Sequence, residues 1–537
     1  MPKFSILLPT RERSDTLRFA LQTAVAQDFG DVEILVHESG NDPGTAEVVA
    51  EAGDSRTRHV KTVEPVAMKE NWERAVAAAT GDYLTIIGDD DAILSTACSE
   101  AAQILDRYPV DVLTWRPAAY FWPDSAITVL QNRLQAYLPK TSGFELQDPR
   151  ALLHLAYHFR EHHYTMPMML HSFVARPLVD RVIEGLGTYF SSAAPDIASA
   201  VADAWFGESC ILSHRPMSIS GISHHSTGSR MHFSRDPKLR MQAERAAFAT
   251  SVDFHPSLPN SRNSQIFAAN EMMTMKQALF PDERPDFNYR GLIQRALESL
   301  ETGFEDYDAG LADIRRTAQL NGIDLDDFTV PPPAPAERKA AQGVVTLGEG
   351  LLIDIDCTAE GVSTVAGAGR LLASVLPAFG PPGDLPRPVT QVLTVSQASR
   401  ELCFSAGGNG LAMLGGGWSR PEDWGVWTIA DRADLVLDLE TPSPESLVVR
   451  ITGRMFVPRQ ILQSRGSLTM NGRPVARLEA TPDRPAVNLT VDIPPDALTT
   501  GTILLEFLVD SPSSPSSAGI SSDTRRLGFG LERIWFE

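Results

Sequence analysis

Three consecutive aspartates, Asp89-Asp90-Asp91, are the residues of this sequence whose type and spacing most directly suggest chemistry. They follow an apolar run, Tyr83 to Ile87, whose β-branched and aromatic residues predict a buried strand, and Gly88 allows a sharp turn at its end. Ligands of open α/β sheets bind at the carboxyl ends of the strands. If the segment stays extended, Asp89 and Asp91 point the same way and could hold one Mg²⁺ or Mn²⁺ together with a diphosphate.

A structural explanation of the same aspartates stays open. Asp91 could cap a helix that begins near Ala92, because a carboxylate is stabilised beside the N-terminus of a helix. A calcium-binding EF-hand loop is excluded, since apolar residues stand at 92–94, where such a loop needs polar ligands.

Size and composition limit the classes of protein to which the chain can belong. A length of 537 residues suggests three or four domains. The formal net charge of -21 and the pI near 5.0 argue against nucleic acid as the main partner, because phosphate binding needs a basic surface. The sequence has no apolar run near the ~20 residues of a membrane span and no recognisable signal peptide, so we expect a cytoplasmic protein. The four scattered cysteines predict packed thiols.

The elements before the aspartates predict an α/β sheet. A strand from Lys3 to Leu8 ends at Pro9, and a polar loop of residues 10–15 precedes a helix from about Thr16 to Gln27. The loop lacks the G-x-G-x-x-G glycines that let a backbone approach a dinucleotide pyrophosphate, which disfavours a nicotinamide or flavin enzyme.

Further along, strands are expected at 32–36 and 57–63 and a helix at 66–80. An acidic, turn-forming loop of residues 37–42 follows the first of these strands. Alternation of strands and helices at this spacing predicts a doubly wound, mostly parallel sheet.

Three pieces in this order resemble family 2 glycosyltransferases with the GT-A fold: the Pro9-Thr10 strand exit, the loop from Val36 to Asp42, and Gly81-Asp82-Tyr83 leading into the aspartates. The likeness covers roughly the first 230 residues, and the aspartates occupy the place of the family's D-x-D motif. It implies a nucleotide-diphosphate sugar donor, a divalent metal (Mn²⁺ or Mg²⁺), and transfer with inversion at the anomeric carbon.

The resemblance also assigns roles by position. Asp89 and Asp91 would take the metal and the diphosphate, with Asp90 near the ribose or sugar. The other residues assigned to the nucleotide sugar are Pro9, Thr10, Arg11 and Glu38. Glu38 would sit where the family usually places a uracil-contacting Asp. The loop has His-Glu in place of paired Asp and reverses the family's Gly-Ser at 39–40, which leaves the base of the donor open.

An inverting transfer needs a general base for the acceptor hydroxyl. By resemblance it lies roughly a hundred residues beyond the D-x-D motif, and Asp196 follows Asp91 by 196 − 91 = 105 positions. Pro195 would begin a helix with Asp196 in its first turn, facing the cleft. An ordinary acidic first-turn residue is the structural alternative, and Asp203, seven residues on, is the second candidate base.

Several histidines invite functional interpretation. His171 follows the apolar run 166–170 and could reach an acceptor hydroxyl. By resemblance, His224, His225 or Arg230 could contact the diphosphate. An exposed turn is an equally good interpretation of 224–230. Histidines also recur every four residues at 154, 158 and 162, but no H-E-x-x-H motif accompanies them, so we prefer packing to a metal site.

The chain is predicted to have three structural parts. Residues 1–235 form the GT-A domain, a Rossmann-like α/β fold with a mostly parallel sheet, and 236–330 form a helical extension packed on it. The proline-rich stretch 331–342 predicts a linker. Short strands and turns at 343–537 predict an all-β sandwich of the jelly-roll kind, with a hairpin at Asn471-Gly472.

Aromatic residues occur in two clusters. The stretch from Tyr120 to Trp122 predicts core, because aromatic side chains carry so much apolar area. Trp418, Trp424 and Trp427 could bind sugar rings face-on or fill the core of the β-sandwich, with scaffolding as the default.

These features favour a metal-dependent inverting glycosyltransferase that moves a sugar from a nucleotide-diphosphate sugar to a glycan or lipid-linked acceptor in surface polysaccharide synthesis. The alternative is a catalytically inactive glycan-binding or assembly protein that works through its C-terminal sandwich. A nucleotidyltransferase ranks last, because its glycine-rich basic first loop is missing. Peripheral association with the inner membrane and homo-oligomer formation stay open as further partnerships.

Overall fold

The computed structural model of this protein describes residues 2–139, 143–234, 236–247, 252–283, 285–334, 343–347, 350–379, 386–388, 401–405, 408, 410, 413–414, 418–419, 421–429, 431–438, 447–470, 473–493, 502–521, 523 and 525–536. They belong to two compact units. Unit 1 is Met1–Ile323 with Val330–Pro388, and unit 2 is Asp324–Thr329 with Val389–Glu537.

The strands of unit 1 form two sheets. In chain order they are β1 (Phe4–Thr10), β2 (Val32–Ser39), β3 (Thr57–Thr62), β4 (Tyr83–Ile86), β5 (Ala92–Ile93), β6 (Val112–Trp115), β7 (Ala118–Phe121), β8 (Arg133–Pro139), β9 (Phe144–Gln147), β10 (Ser172–Ala175), β11 (Cys210–Ser213), β12 (Ser218–Ile222), β13 (Gly343–Leu347), β14 (Gly350–Asp356) and β15 (Pro386–Pro388). The central sheet has the order β15-β9-β11-β6-β10-β4-β1-β2-β3, and the second has the order β13-β14-β8-β7-β12-β5.

The first four strands confirm the predicted parallel α/β core. β1 pairs in parallel with β2 and β4, and β2 pairs in parallel with β3. All seven residues of β1 are buried, because Leu7 packs into the apolar cluster on one face of the sheet while Ile6 and Leu8 pack into the cluster on the other. A strand buried on both faces is typical of parallel sheets covered by helices. The carboxyl ends of these strands therefore meet at one edge, where Thr10 lies opposite Glu38.

Helices cover both faces of the central sheet. In chain order they are α1 (Ser14–Val25), α2 (Pro43–Ala52), α3 (Met68–Ala78), α4 (Ala97–Arg107), α5 (Pro149–Tyr157), α6 (Arg176–Leu186), α7 (Pro195–Phe206), α8 (Thr227–Phe233), α9 (Pro237–Ala247), α10 (Ser264–Leu279), α11 (Tyr289–Glu301), α12 (Tyr307–Leu320) and α13 (Val365–Val375). α1 and α4 pack on one face, and α3, α6 and α7 pack on the other.

The segment 236–330 is helical, as predicted, and contains α9 to α12. Asn263 caps α10 by accepting hydrogen bonds from the backbone N–H groups of Gln265 and Ile266. Met272 and Met275 of α10 join the apolar cluster that α7 also lines, so the methionines are packing residues.

Unit 1 extends past the predicted boundary at residue 343. β14 pairs with β8 along its whole length, and a buried ion pair of 2.7 Å joins Arg133 to Asp354. Antiparallel pairing that carries apolar side chains into a shared core holds this segment on unit 1. Of the predicted linker, residues 331–334 are described and 335–342 lie outside the described residues.

The regular elements in the described residues of 401–536 are strands, which confirms the predicted β-rich domain. Its strands are β16 (Glu401–Cys403), β17 (Val426–Trp427), β18 (Arg432–Asp438), β19 (Leu447–Met455), β20 (Ser464–Met470), β21 (Arg473–Ala480), β22 (Ala486–Ile493), β23 (Thr502–Val509) and β24 (Phe529–Phe536). They form a sheet β16-β24-β19-β22, with β17 also on β24, and a sheet β18-β23-β20-β21. One apolar cluster takes residues from both sheets, as in a sandwich. β20 and β21 pair as the predicted hairpin, whose turn at 471–472 lies outside the described residues.

Aromatic residues at 120–122 are buried, as predicted. In unit 2, Trp418 packs on Phe507 within the sandwich core, whereas Trp424 and Trp427 are half-buried and in contact with each other. The guanidinium of Arg454 lies over the Trp424 ring, 4.0 Å from its centre. Packing against protein is therefore the main role that these contacts indicate for the three tryptophans.

Cys98, Cys210 and Cys357 are buried free thiols, as expected, and Cys403 is half-buried. None of the helices in the described parts of the chain has the length and apolar character needed to cross a membrane.

Candidate functional site

The aspartates lie in a turn at the end of β4. The backbone N–H of Asp91 donates to the carbonyl of Gly88 at 3.1 Å, so the segment is a turn. The expected extended conformation is therefore wrong, although the charge of Asp89 still acts on Asp91. The proposed helix cap is wrong too, because β5 follows at Ala92 and α4 begins only at Ala97.

Asp89 is held by the loop that follows β1. Its Oδ2 accepts a hydrogen bond of 2.8 Å from the Thr10 hydroxyl, and its Oδ1 pairs with Arg13 at 3.1 Å. Burial raises the pKa of Asp89, and the positive charge of Arg13 opposes that effect. Thr10 at the end of β1 and Arg13 just before α1 thus hold the Asp89 carboxylate.

Asp90 is held by the segment that follows β12. Its Oδ2 accepts hydrogen bonds of 2.6 Å from the hydroxyls of both Ser223 and Ser226. Its backbone carbonyl accepts from the Trp122 indole at 3.1 Å. A Cβ atom at Gly221 would lie 1.7 Å from that carbonyl, so only glycine permits this approach of β12.

Asp91 is held by backbone donors alone. Its carboxylate accepts from the N–H groups of Gly88 and Gly221, each at 2.7 Å. Burial, followed by the nearby charge of Asp90, raises the pKa of Asp91 to about 8. Hydrogen bonds from two backbone N–H groups are not sufficient to offset those two effects.

The three carboxylates fit a divalent cation. Each oxygen of Asp89 and Asp91 accepts one hydrogen bond from the protein, and an ionised carboxylate has about four acceptor sites, so lone pairs remain for a metal. Hard oxygen donors are those preferred by Mg²⁺ and Mn²⁺. The repulsion that raises the pKa of Asp91 would be relieved by a positive ion.

Two arginines face this loop. Arg13, besides pairing with Asp89, donates from Nη2 to the Thr227 hydroxyl at 3.3 Å. Burial and the charge of Arg13 lower the pKa of Arg230, which places the two guanidinium groups near each other. The Nε of Arg230 is buried and has no hydrogen-bond partner among the described residues. A pair of guanidinium groups suits an oxyanion such as a diphosphate.

Arg13 was missed from the sequence, which favoured Arg11 of the same loop. Arg11 instead donates to the Val66 carbonyl at 3.4 Å. The intervening Glu12 has a φ of 54°, and this left-handed residue changes the chain direction between the two arginines. The polar loop with two arginines indicated that one arginine belongs to the site, but nothing in the sequence indicated which one.

Glu38 lies at the same edge as Thr10, next to buried Pro9, as its expected role requires. It is fully buried, with Oε2 2.9 Å from the His59 ring and Oε1 accepting from the Asp42 N–H at 2.8 Å. These contacts stabilise the loop after β2 and leave the contribution of Glu38 to base recognition as a prediction.

His224 and His225 lie on the loop between β12 and α8. The Nδ1 of His224 lies 2.6 Å from Asp124, and the Nε2 of His225 lies 3.1 Å from Asp15. Potential ligand atoms of Asp15, His224 and His225 all lie within 4.8 Å of one another. His225 is tied to the aspartate loop, because its backbone N–H donates to the Ser223 hydroxyl that binds Asp90.

The two acids of α7 have different surroundings. Pro195 begins the helix, as predicted, and Asp196 is half-buried in its first turn. Burial, together with the nearby Glu271 carboxylate, raises the pKa of Asp196. Asp203 is fully buried and accepts hydrogen bonds of 2.8 and 2.7 Å from the Tyr189 hydroxyl. Asp203 is therefore a core residue and not a second candidate base.

Hydrogen bonds link α7 to β4, the strand that ends at the aspartates. The Thr85 hydroxyl of β4 donates to the Met169 carbonyl at 3.2 Å, and the Met169 N–H donates to the Ser199 hydroxyl of α7 at 3.4 Å. α7, which carries Asp196, thus packs against the strand that leads into the aspartate turn.

His171 is buried, and its Nε2 donates to the Tyr164 carbonyl at 3.1 Å. Burial lowers the pKa of His171 to about 4, so the ring is neutral at physiological pH. The expected helical row of histidines does not form, because α5 ends at Tyr157 and Phe159 has a φ of 56°.

Comparison with known proteins agrees with this geometry. Residues 5–166 match the family model of Glycosyl transferase family 2. The matched segment, less than a third of the chain, is similar to the family 2 glycosyl transferase domain. This confirms the resemblance inferred from the strand exits and the aspartates.

A curated relative of the glycosyl transferase domain is the GalNAc(5)-diNAcBac-PP-undecaprenol beta-1,3-glucosyltransferase of Campylobacter jejuni subsp. jejuni serotype O:2. It is 32% identical over 106 residues, which are 19% of this chain and 34% of that protein. The chain thus spans about a third of the length of the curated relative.

Among solved structures, S. aureus TarS 1-349 in complex with UDP-GlcNAc is 13% identical, with a TM-score of 0.36 over 60% of this chain and 84% of that one. S. aureus TarS is 11% identical, with a TM-score of 0.34 over 99% and 85%. The mannosyltransferase PcManGT of Pyrobaculum calidifontis, in complex with GDP-Man and Mn2+, is 12% identical, with a TM-score of 0.30 over 60% and 86%. Likenesses of this size do not establish shared ligands.

Proposed function

We propose that unit 1 is a metal-dependent inverting glycosyltransferase that uses a nucleotide-diphosphate sugar. The observation that carries the proposal is the turn at 88–91, where three carboxylates are buried at the end of a parallel strand and Arg13 pairs with Asp89. Its position at the carboxyl edge of the sheet is where α/β folds bind ligands. The family of the domain supports this chemistry.

Asp89 and Asp91 would hold Mn²⁺ or Mg²⁺, whose positive charge would neutralise the departing diphosphate. Arg13 and Arg230 would donate hydrogen bonds to the phosphate oxygens. Thr10 keeps Asp89 in place, and the backbone N–H groups of Gly88 and Gly221 keep Asp91 in place. The rigid turn therefore presents charge to the donor without reorganising.

Asp196 would act as the general base. Its raised pKa makes the carboxylate a better proton acceptor than an ordinary aspartate. It would remove the proton of the acceptor hydroxyl while the oxygen attacks the anomeric carbon and the nucleoside diphosphate leaves from the opposite side. One C–O bond forms as another breaks, which inverts the anomeric configuration.

The acceptor is proposed to be a glycan, and a lipid-linked saccharide is the favoured form. The curated relative, by its name, acts on a saccharide joined through a diphosphate to undecaprenol. Synthesis of a bacterial surface polysaccharide is the process this would serve.

The test is hydrolysis and transfer with a panel of UDP- and GDP-sugars, with Mn²⁺ or with EDTA. Wild type should turn over at least one donor with Mn²⁺, and EDTA or Asp91→Ala should remove at least 99% of that turnover. Asp106→Ala, which removes an exposed carboxylate from α4, is the matched control and should behave as wild type.

Full activity of Asp91→Ala across the panel would falsify the proposal. Inactivity of the wild-type protein towards every donor, combined with glycan binding by the complete chain, would favour the non-catalytic alternative.

A further inference from the structure

The turn His163–Thr165 displays an aromatic ring close to Asp196. Tyr164 is 52% exposed and is the aromatic member of the exposed large hydrophobic residues in the described ranges. α7 packs against this turn, and the charge of Asp196 contributes to raising the pKa of Tyr164. An exposed ring thus stands beside the carboxylate that would act as the base.

The backbone of Tyr164 is fixed on both sides. Its N–H donates to Nδ1 of His162 at 3.2 Å, and its carbonyl accepts from Nε2 of His171 at 3.1 Å. The His162 ring stacks on the Tyr164 ring with 4.8 Å between centres and 17° between planes. The His163 ring also lies 4.4 Å from the Tyr164 ring, at 42°, so two imidazoles hold the ring while half of the residue remains exposed.

The imidazole rings around Tyr164 are uncharged. Burial lowers the pKa of His162 and of His171 to about 4 and lowers that of His163 strongly, so the imidazoles are neutral at physiological pH. Neutral rings do not attract phosphate as the arginines beside Asp89 do. Aromatic faces with nearby polar groups suit the apolar face of a sugar ring and its hydroxyls.

We propose that Tyr164 is a binding residue for the acceptor and stacks on the pyranose ring that carries the attacking hydroxyl, beside Asp196. This inference deepens the proposed function and rests on it, because Asp196 defines which sugar is the acceptor. It predicts that the acceptor unit is a neutral pyranose with an apolar face, and that the ring of Tyr164 matters more than its hydroxyl.

Saturation-transfer NMR of the full chain with UDP and Mg²⁺ tests this directly. The probes are the methyl β-glycosides of glucose, N-acetylglucosamine and N-acetylgalactosamine. Wild type should transfer saturation to ring protons of at least one probe, and Tyr164→Ala should weaken its binding by about tenfold. Tyr164→Phe and Tyr164→Trp should keep wild-type affinity, since both retain a ring.

Two controls separate recognition from folding. Tyr307→Ala removes a half-buried tyrosine of α12 and should leave probe binding unchanged. The thermal midpoint should be the same for wild type and Tyr164→Ala, which a purely structural role of Tyr164 would not allow.

Equal saturation transfer to wild type and Tyr164→Ala, or none to wild type with any probe, would overturn the inference. Failure of the proposed function looks different: wild type would not hydrolyse any donor, whatever the outcome at Tyr164. If a probe binds in a Tyr164-dependent way but the wild-type protein hydrolyses no donor, Tyr164 belongs to a sugar-binding site. That result would refute the assignment of the site to an acceptor.

Discussion

The turn at 88–91 and the first turn of α7 both carry acids that the proposed function uses, but their surroundings differ. The aspartates of the turn accept hydrogen bonds from Thr10, Arg13, two serine hydroxyls and three backbone N–H groups. Asp196 is half-buried beside exposed Tyr164 and three neutral histidines. Fixed acids with arginines suit a metal and a diphosphate, whereas Asp196, whose pKa is raised by burial and by Glu271, suits proton transfer from a sugar beside neutral imidazoles.

The largest effect on kcat should come from replacing Asp196 of α7, and Asp203 of the same helix is its comparison. Asp196→Ala should lower kcat by about 10²- to 10⁴-fold, because it removes the general base, with little change in stability. Asp203→Ala should keep the activity of the folded protein but lower its unfolding free energy by about 1–3 kcal/mol, because the buried Tyr189 hydroxyl loses its acceptor. Kinetics and urea unfolding of both variants check this, and equal kcat values would remove the distinction between the two acids.

The pH dependence should separate the two sides of the site. Asp196 must be ionised to accept a proton, and its pKa is raised, so kcat/KM should fall as the pH falls through a value above the ordinary ~3.9 of aspartate. Below that value the rate should drop about tenfold per pH unit. A pH profile of transfer should show this limb, and a limb unchanged in the residual activity of Asp196→Ala would contradict its assignment.

Arginines of the first loop offer a matched pair. Arg13→Met should weaken binding of UDP or GDP by about ten- to a hundredfold, since a hydrogen bond to a charged group contributes about 1.5–3 kcal/mol. Arg11→Met removes a guanidinium that donates to the Val66 carbonyl and should change the affinity less. Calorimetric titration of both variants compares their affinities for UDP or GDP. A larger loss of affinity for Arg11→Met would support the prediction from the sequence that Arg11 contacts the nucleotide sugar.

The smallest effect should come from the groups that position Asp90. Ser226→Ala removes one of two hydroxyls that donate to its Oδ2 and should lower the unfolding free energy by about 1–2 kcal/mol. Ser374→Ala on α13, where the serine is exposed, is the control and should cost less. Urea unfolding measures the difference between the two variants. Equal unfolding free energies would mean that a water molecule replaces the Ser226 hydroxyl as a donor to Asp90.

The fold was largely predictable because its signals are local. The apolar runs at 3–8, 32–36 and 83–87 gave strands close to their observed bounds, since hydrophobic periodicity reports burial directly. β5 was missed because Ala92-Ile93 is too short to distinguish from the start of a helix. The attachment of β14 to β8 was missed because strand pairing across some 220 residues leaves no local trace.

The site was predictable in its residue types and not in its geometry. Asp89, Asp90 and Asp91 lie where the strand pattern places them, yet the hydrogen bonds that hold their side chains come from distant partners. Asp89 binds Thr10 over 79 positions, and Asp91 binds Gly221 over 130. Arg13 stayed hidden because nothing local distinguishes it from Arg11.

By itself the sequence determined the parallel α/β core, the three acids at the end of its fourth strand and the helix that begins at Pro195, because each depends on neighbours in the chain. Tertiary structure alone decided that Arg13 faces Asp89, that Asp203 is sealed against Tyr189 while Asp196 is not, and that Tyr164 stands beside Asp196. These are contacts between side chains of different elements, and packing, not local preference, selects them.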